Sequence, residues 1–161
     1  MSISPKITPF LWFDTQAEDA TNFYVSVFKN SEILSVNRYP EGGPAPAGSV
    51  MTTSFVLDGQ RFTALNAGPH FTFTEAISFV IDCGEQDEVD YYWDALIADG
   101  GEPSACGWLK DKYGLSWQVV PRALIELTTD VDPATAGRVM AAMMQMQKLD
   151  VAALRAAASA G

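Results

Sequence analysis

The stretch Cys106–Pro121, CGWLKDKYGLSWQVVP, decides the fold of this chain. It predicts two β-strands joined by a tight turn at residues 111–114, where Gly114 supplies the positive φ that such turns need. The chain therefore reverses direction here, and the two strands pair as neighbours in a sheet.

The second of these strands carries different side chains on its two faces. Trp117 and Val119 point to one face, and Ser116, Gln118 and Val120 point to the other, because side chains alternate along a strand. A glutamine in the middle of the second face indicates that this face borders a cavity rather than a dry core.

Composition limits the class of protein. The 161 residues are enough for one domain, or for two small repeats that share a core, and 48% apolar residues suffice to pack it. The net charge of −10 and the isoelectric point near 4.3 argue against nucleic acid and anionic membranes as partners, since an acidic surface repels phosphate groups.

Cysteine usage and hydropathy indicate a cytoplasmic protein. Cys83 and Cys106 do not form a disulfide framework, and both lie in apolar, strand-like contexts. They are interpreted as buried free thiols, with a reactive or paired cysteine as the alternative. Neither a signal peptide nor an apolar run long enough to cross a membrane is expected.

The first half of the chain predicts the order strand, helix, strand, strand, strand. The helix begins at Thr15, with Glu18 as the partner in a capping box, and its apolar residues recur with helical spacing. Asp58 and Gly59 predict the hairpin between the last two strands. The predicted strands cover residues 7–14, 33–39, 49–57 and 61–66.

A segment rich in proline and glycine, PEGGPAPAG at residues 40–48, interrupts the second and third strands. Such a segment cannot form a ladder. It is either a mobile surface loop or a lid over a pocket, and the sequence leaves both interpretations open.

The pattern then restarts as an internal repeat. A shift of 68 residues aligns Leu11 with Phe79 and Asp14 with Asp82, without a gap. The shift predicts a strand at 77–83 and a helix at 85–98, before the two strands of the opening stretch. A repeat of this kind is typical of two copies of one supersecondary unit around a shared core.

The last part of the chain has no counterpart in the first half. Asp132 and Pro133 predict a helix start, with aspartate as N-cap and proline at the first helical position, and Asp150 caps a last helix. A methionine-rich stripe on the first of these helices is interpreted as core or dimer contact, with a ligand groove as the alternative.

Two tandem βαβββ modules resemble the vicinal oxygen chelate superfamily, which includes glyoxalases, extradiol dioxygenases and bleomycin-resistance proteins. Within it, the chain is similar to the PhnB-like family, whose members often carry the label 3-demethylubiquinone-9 3-methyltransferase. The segments that carry the resemblance run from Ile7 to Leu154. They are ITPFLWFD at 7–14, GSVMTTSFVLDGQ at 48–60, ALNAGPHFTFTEAISFVIDCG at 64–84, GWLKDKYGLSWQVVP at 107–121 and MQMQKLDVAALRAA at 144–157.

The resemblance implies an α+β fold in which the two modules form a curved mixed sheet around a cleft. The predicted organisation is a paired βαβββ domain at residues 1–121, with modules at about 5–70 and 75–121. A C-terminal helical extension follows at 122–161. The superfamily commonly builds its cleft within or between chains, so the resemblance also implies a homodimer.

Metal-dependent members of the superfamily hold the ion with His, Glu or Gln on the first and fourth strands of each module. The matching positions here are Thr8 or Phe10, Asn66 or Ala64, then Ser78 and Gln118, and only Gln118 is a plausible ligand. A typical divalent-metal site needs three or four protein ligands, so we expect no metal.

No cofactor is expected either. A methyl-donor site would need a glycine-rich loop after a parallel strand, and no such loop follows any predicted strand. The methyltransferase label is therefore interpreted as inherited.

The predicted cleft is lined by aromatic and polar side chains, which suits a small organic ligand. The alternative is a cleft filled by its own side chains. His70 is an acid–base candidate or an exposed loop histidine, and Asp14 and Asp82 are interpreted as helix-start residues. The predicted ligand-binding residues are Thr8, Phe10, Trp12, Asn66, Ser78 and Gln118, with Val80, Asp82 and Ser116 beside them.

Two classes of function follow from this. The first is a metal-free binder of a small organic molecule. The second is an enzyme of the same superfamily, either a lyase, isomerase or dioxygenase or the labelled methyltransferase. The sequence does not decide whether a reaction is catalysed.

Overall fold

The structure is a computed structural model that describes residues 5–161. It has an α+β fold with two four-stranded mixed sheets. The chain divides into two compact units, the first ending at Phe73 and the second beginning at Thr74.

The first unit is one βαβββ module. Its sheet has the order β1-β4-β3-β2, with β1 parallel to β4 and the other neighbours antiparallel. The elements are β1 Phe10–Phe13, α1 Ala17–Val27, β2 Glu32–Arg38, β3 Val50–Leu57 and β4 Gln60–Asn66.

Helix α1 packs on one face of this sheet, as its apolar stripe predicts. Tyr24 of the helix stacks on Phe55 of β3, with ring centroids 6.4 Å apart, and both are buried. A buried polar pair lies beside them, in which the hydroxyls of Thr21 and Thr53 are 2.6 Å apart. Pairing satisfies two hydroxyls that burial would otherwise penalise.

The local signals at the ends of these elements have mixed outcomes. The predicted hairpin is confirmed, with Asp58 at φ 45° and Gly59 at φ 86°. The predicted capping box at Thr15 is wrong, because Gln16 is the N-cap residue and no side chain of the box caps the helix. Asn66 instead accepts the Ala17 N–H through its Oδ1 at 2.8 Å.

The second unit repeats the module. Its sheet has the order β5-β8-β7-β6, again with one parallel pair, β5 with β8. The strand β6 has only two residues, and its Pro103 has no N–H to donate to a longer ladder. The elements are β5 Ser78–Cys83, α2 Gln86–Ile97, β6 Glu102–Pro103, β7 Trp108–Lys110 and β8 Ser116–Pro121.

Three helices complete the second unit: α3 Arg122–Thr128, α4 Pro133–Met143 and α5 Val151–Ser159. They close around a small core of their own, made by Val139, Leu149 and Leu154. The predicted caps are confirmed, since the Asp132 carboxylate accepts the Thr135 N–H and the Asp150 carboxylate accepts the Ala153 N–H. The methionines of the predicted stripe differ in burial. Met143 packs against this core, whereas Met144 is 62% exposed.

These tail helices are fastened to the module by backbone and side-chain hydrogen bonds. Gln86 at the start of α2 donates to the Leu149 carbonyl at 3.1 Å and accepts the Val151 N–H at 2.7 Å. The N–H groups of Cys106 and Gly107 donate to carbonyls of the segment that precedes α5, each at 2.8 Å. The tail is therefore part of the second unit.

The predicted repeat of βαβββ modules is confirmed, and most strand and helix bounds agree with the prediction to within about three residues. Among residues 5–161, no helix is both long and apolar enough to cross a membrane.

Candidate functional site

The turn of the opening stretch is built around a buried carboxylate. Asp111 is 2% exposed, and its Oδ1 accepts the N–H groups of Tyr113 and Leu115 at 2.9 and 3.1 Å. Its Oδ2 accepts the indole N–H of Trp117 at 2.9 Å. The side chain thus fastens the turn to the strand that carries Gln118. The sequence analysis missed this role, although aspartate at the start of a turn is the typical residue for such bonds.

The sheet face opposite α2 carries the predicted polar residues of the second unit. Gln118 lies between Val80 and Trp108 in the register of the sheet, and its Nε2 donates to the Ser78 Oγ at 2.9 Å. Val80 is 55% exposed. Two of the predicted ligand-binding residues, Ser78 and Gln118, are therefore in direct contact.

Ser116 lies in the next row of the same face, between Ser78 and Lys110. It is 1% exposed, and within residues 5–161 its hydroxyl has no hydrogen-bond partner. A buried hydroxyl without a partner is destabilising, typically by about 1–3 kcal/mol. Such a group in a native structure calls for an explanation, of which a missing ligand or water is one.

An ion pair stands at the end of this row. The Lys110 ammonium contacts the Glu75 carboxylate, and this hydrogen bond lowers the pKa of Glu75 and raises the pKa of Lys110. Both groups are largely exposed, so the pair contributes little to stability. It does leave one cation and one anion beside the polar row.

In the first unit, the predicted aromatic residues lie at the sheet face opposite α1. Phe10 is 60% exposed, and the exposed Thr8 precedes β1. The indole N–H of Trp12 donates to the Gly68 carbonyl at 2.9 Å, and its ring packs edge-on against Phe71 with centroids 4.8 Å apart. Trp12 is thus held in one orientation by the segment that follows β4.

Asn66 does not belong with these residues, and its predicted position on the same face is wrong. It pairs with Phe13 in the parallel register of β1 and β4, so it lies on the face that α1 covers. Its side chain is used there, because Oδ1 accepts the Ala17 N–H and Nδ2 donates to the Val50 carbonyl. Alternation along β4 puts Asn66 on the same face as the buried Phe62 and Ala64, and this signal could have given the correct placement.

The other predicted reactive groups are one histidine beside Trp12 and two cysteines in the second unit. His70 is exposed and contacts the edge of Trp12, with ring centroids 6.4 Å apart. Cys83 is buried, as predicted, and burial raises the pKa of its thiol to about 12, with Glu88 and Asp82 adding to the effect. Cys106 is half-buried, with its Sγ 4.0 Å from the Met144 Sδ.

The positions that hold a metal in metal-dependent relatives do not fit that role here. Within residues 5–161, no group of three or more His, Cys, Asp or Glu side chains is placed to hold an ion. Asn66 is engaged in the helix cap, and Gln118 donates to Ser78. The donor set is therefore unlike the imidazole and carboxylate sets of typical divalent-metal sites.

Comparison with known proteins places this geometry in a family. A family model described as 3-demethylubiquinone-9 3-methyltransferase matches residues 5–120, so the tail helices lie outside the matched region. None of the curated proteins matches the chain.

Solved structures agree with the family model. The PhnB protein of Bacillus cereus is 40% identical, with a TM-score of 0.67, over 73% of this chain and 99% of its own. Protein PA1353 of Pseudomonas aeruginosa is 19% identical, with a TM-score of 0.61, over 73% of this chain and 98% of its own.

The fosfomycin resistance protein FosX of Listeria monocytogenes is 16% identical, with a TM-score of 0.52, over 74% of this chain and 93% of its own. The last two likenesses concern the fold alone. The chain belongs to the PhnB-like family described as 3-demethylubiquinone-9 3-methyltransferase.

Proposed function

We propose that the open sheet face of each unit, opposite α1 in the first and opposite α2 in the second, binds a small organic molecule without a catalytic metal. The observation that carries the proposal is the mixed character of these faces. In the first unit the exposed Phe10 lies on this face, and in the second unit the exposed Val80 lies on the same face as the hydrogen-bonding groups Ser78 and Gln118. Apolar walls with a few polar groups are typical of small-molecule sites.

In the first unit, the open sheet face presents a flat apolar surface. Trp12 is held by its bond to Gly68, Phe10 lies on the same face of β1, and the exposed Thr8 precedes that strand. A ring that is already oriented loses little conformational freedom when a planar ligand stacks on it.

In the second unit, the open sheet face presents hydrogen-bonding groups. Gln118 donates one amide hydrogen to Ser78, which leaves its carbonyl oxygen and its other hydrogen for a ligand. The unpaired Ser116 hydroxyl is one row away, and a ligand or a trapped water that reached it would remove an energetic penalty. We infer that a planar molecule with one or two hydrogen-bonding groups suits this face best.

We also propose that the protein is a cytoplasmic homodimer. The edge strand β2 exposes Ile33, Leu34 and Val36, and the tail exposes Met140 and Met144. Apolar side chains on an edge strand are a liability for a monomer, and a second copy is the simplest way to cover them. Molar mass from light scattering after size exclusion tests this, and a monomer at all concentrations would contradict it.

The binding proposal is tested with a thermal-shift screen of planar phenols, for which 1-naphthol, catechol and p-nitrophenol serve as probes. A ligand that binds only the native state stabilises it by a free energy set by the ligand concentration relative to Kd, which raises the midpoint temperature of unfolding. At ~100 Kd this stabilisation is about 2.7 kcal/mol. We expect a saturable rise for at least one probe, which Gln118→Ala removes for binding at the second unit and Phe10→Ala removes for binding at the first. Gln60→Ala, in the exposed hairpin, is the control that leaves it unchanged.

Two results would overturn the proposal. A rise of several degrees with millimolar Mn²⁺ or Ni²⁺ alone would show that the protein holds a metal, and elemental analysis of the purified protein would then identify the ion. Binding that the Gln118 and Phe10 variants leave unchanged would place the ligand elsewhere.

A further inference from the structure

A cavity lies in the first unit, and the residues named above for the open sheet face do not line it. Its volume is about 710 Å³, and it lies beside the start of α1, under the loop of residues 40–48. None of Thr8, Phe10 and Trp12 lines it. The proposed small-molecule site therefore does not account for this cavity.

The loop that forms one wall is held in place by its own hydrogen bonds. Tyr39 and Gly48 close its neck, with the Gly48 N–H donating to the Tyr39 carbonyl at 2.9 Å, and the Ser49 N–H donates to the Pro46 carbonyl at 3.1 Å. Arg38 donates from Nη1 to the Gly48 carbonyl at 3.0 Å. A loop with these bonds forms a defined wall, which fits the second interpretation of the segment, a cover over a pocket.

The wall is largely apolar. Pro44, Pro46 and Val50 line the cavity, and Tyr39 joins them as a residue only 8% exposed. The Tyr39 hydroxyl donates to the Asn66 carbonyl, which fastens the loop to the end of β4. This surface can hold the hydrocarbon body of a small ligand.

The opposite wall is acidic. Asp14, Glu18 and Asp19 all line the cavity, at and just before the first turn of α1. Arg38 approaches Glu18 to 4.0 Å. Within residues 5–161, no salt bridge joins Asp14 or Asp19 to a lysine or arginine. The cavity therefore carries more negative than positive charge, on a protein whose net charge is already −10.

We propose that this cavity binds a small organic cation, an ammonium or guanidinium group carried on a short apolar body. The carboxylates of Asp14 and Asp19 attract the cationic group, and the prolines and Tyr39 contact the body. An anion of the same size is repelled, because its charge faces carboxylates without a neighbouring counter-ion. Asn66 already accepts the Ala17 N–H, so this one donor at the helix start is not open to an anion.

The test is a titration with three probes of one shape and different charge: benzylamine, benzyl alcohol and benzoate. Binding to the full-length protein at low salt is followed through backbone amide shifts in two-dimensional NMR. We expect saturable shifts in residues 14–19, 44–50 and 66–70 with benzylamine. Its affinity should exceed that of benzoate at least about tenfold, and the difference should shrink as salt is added.

Variants separate the cavity charges from the general acidity of the protein. Asp14→Asn combined with Asp19→Asn should weaken benzylamine binding at least about fivefold, with benzyl alcohol unchanged. Glu41→Gln is the matched control, because Glu41 lies in the same loop and does not line the cavity. It should change the affinity less than about twofold. The three substituted residues, Asp14, Asp19 and Glu41, are exposed, so we expect both variants to fold. The dispersion of the amide signals in the same spectra verifies this.

Three results would overturn the proposal. These are the absence of a saturable shift with benzylamine at tens of millimolar concentration, benzylamine shifts that map outside the three named segments, and binding of benzoate as tight as that of benzylamine. Equal weakening by the double variant and by Glu41→Gln would also contradict it, since the effect would then belong to net charge alone.

Discussion

The two units of this chain have the same βαβββ topology, but they are stabilised by different local chemistry. In the first unit, the hairpin between the last two strands is a two-residue turn at Asp58 and Gly59, and β2 has seven residues. In the second unit, the equivalent turn surrounds the buried Asp111, and β6 has only two residues. The comparison shows that topology follows the apolar pattern, while each turn and edge is stabilised in its own way.

The outer support also differs. The first unit has a long loop and an open cavity beside α1, whereas helices α3, α4 and α5 pack around the second unit. The position equivalent to Gln86, the residue that fastens these helices, is Glu18 in the first unit, 68 residues earlier. At this equivalent helix position, the glutamine Gln86 binds the tail helices, whereas the glutamate Glu18 lines the cavity.

The largest effect is expected at the turn of the second unit. Asp111→Ala removes the acceptor of three N–H groups in a buried site, so we expect a loss of about 3–5 kcal/mol in the free energy of unfolding, measured in urea. Asp58→Asn, in the exposed turn of the first unit, should change it by less than about 0.5 kcal/mol, since asparagine tolerates positive φ. Similar values for the two variants would contradict the distinction.

The next effect concerns the tail anchor. Gln86→Ala breaks the bonds to Leu149 and Val151, and we expect a loss of about 1–3 kcal/mol. Faster hydrogen exchange at the amides of Cys106 and Gly107 should accompany it, because these amides donate to the tail. Glu18→Ala is the matched control at the equivalent position, with an expected change within about 0.5 kcal/mol.

A buried pair in the first unit allows a sharper comparison. Thr21 corresponds by the repeat to Val89, which is fully buried in the second unit. Thr21→Val leaves the Thr53 hydroxyl without its partner and should cost about 1–2 kcal/mol. The double change to valine at both positions should recover most of this loss. Additive losses in the double-mutant cycle would refute the pairing.

The smallest effect has the opposite sign. Ser116→Ala removes a buried hydroxyl that has no partner, so without ligand we expect unchanged stability or a gain of up to about 1 kcal/mol. A clearly lower free energy of unfolding in urea would mean that the Ser116 hydroxyl is already hydrogen-bonded in solution, for example to a trapped water. Thr63, the residue of β4 equivalent to Ser116, is half-exposed, and its change to alanine gives the comparison value.

The fold could be predicted well from the sequence because the apolar residues that determine it recur at regular spacings. Apolar spacing along α1 and α2, alternation in the strands and the shift of 68 residues each repeat a simple pattern many times, so single errors do not matter. Strand alternation also placed Ser78 and Gln118 on one predicted face, and the two side chains are hydrogen-bonded in the structure.

Single-residue roles were predicted less well. Asn66 was placed on the wrong face, and the capping box at Thr15 does not form, because the Ala17 N–H takes its acceptor from β4 instead. Asp111 was read only as a turn residue, although it binds the indole of Trp117. Each of these roles depends on a partner that folding brings close, and local spacing does not specify such partners.

The attachment of the tail has a consequence for how the protein is made. Gly107 lies where an added Cβ would come within 3.0 Å of Leu149, and its amide is one of those that the tail must satisfy. Leu149 is synthesised more than forty residues after Gly107. The Cys106 and Gly107 amides therefore lack their tail partners while translation continues. The final helices therefore act as a late closure step during synthesis, and a nascent chain halted before residue 149 is the form most exposed to chaperones and proteases.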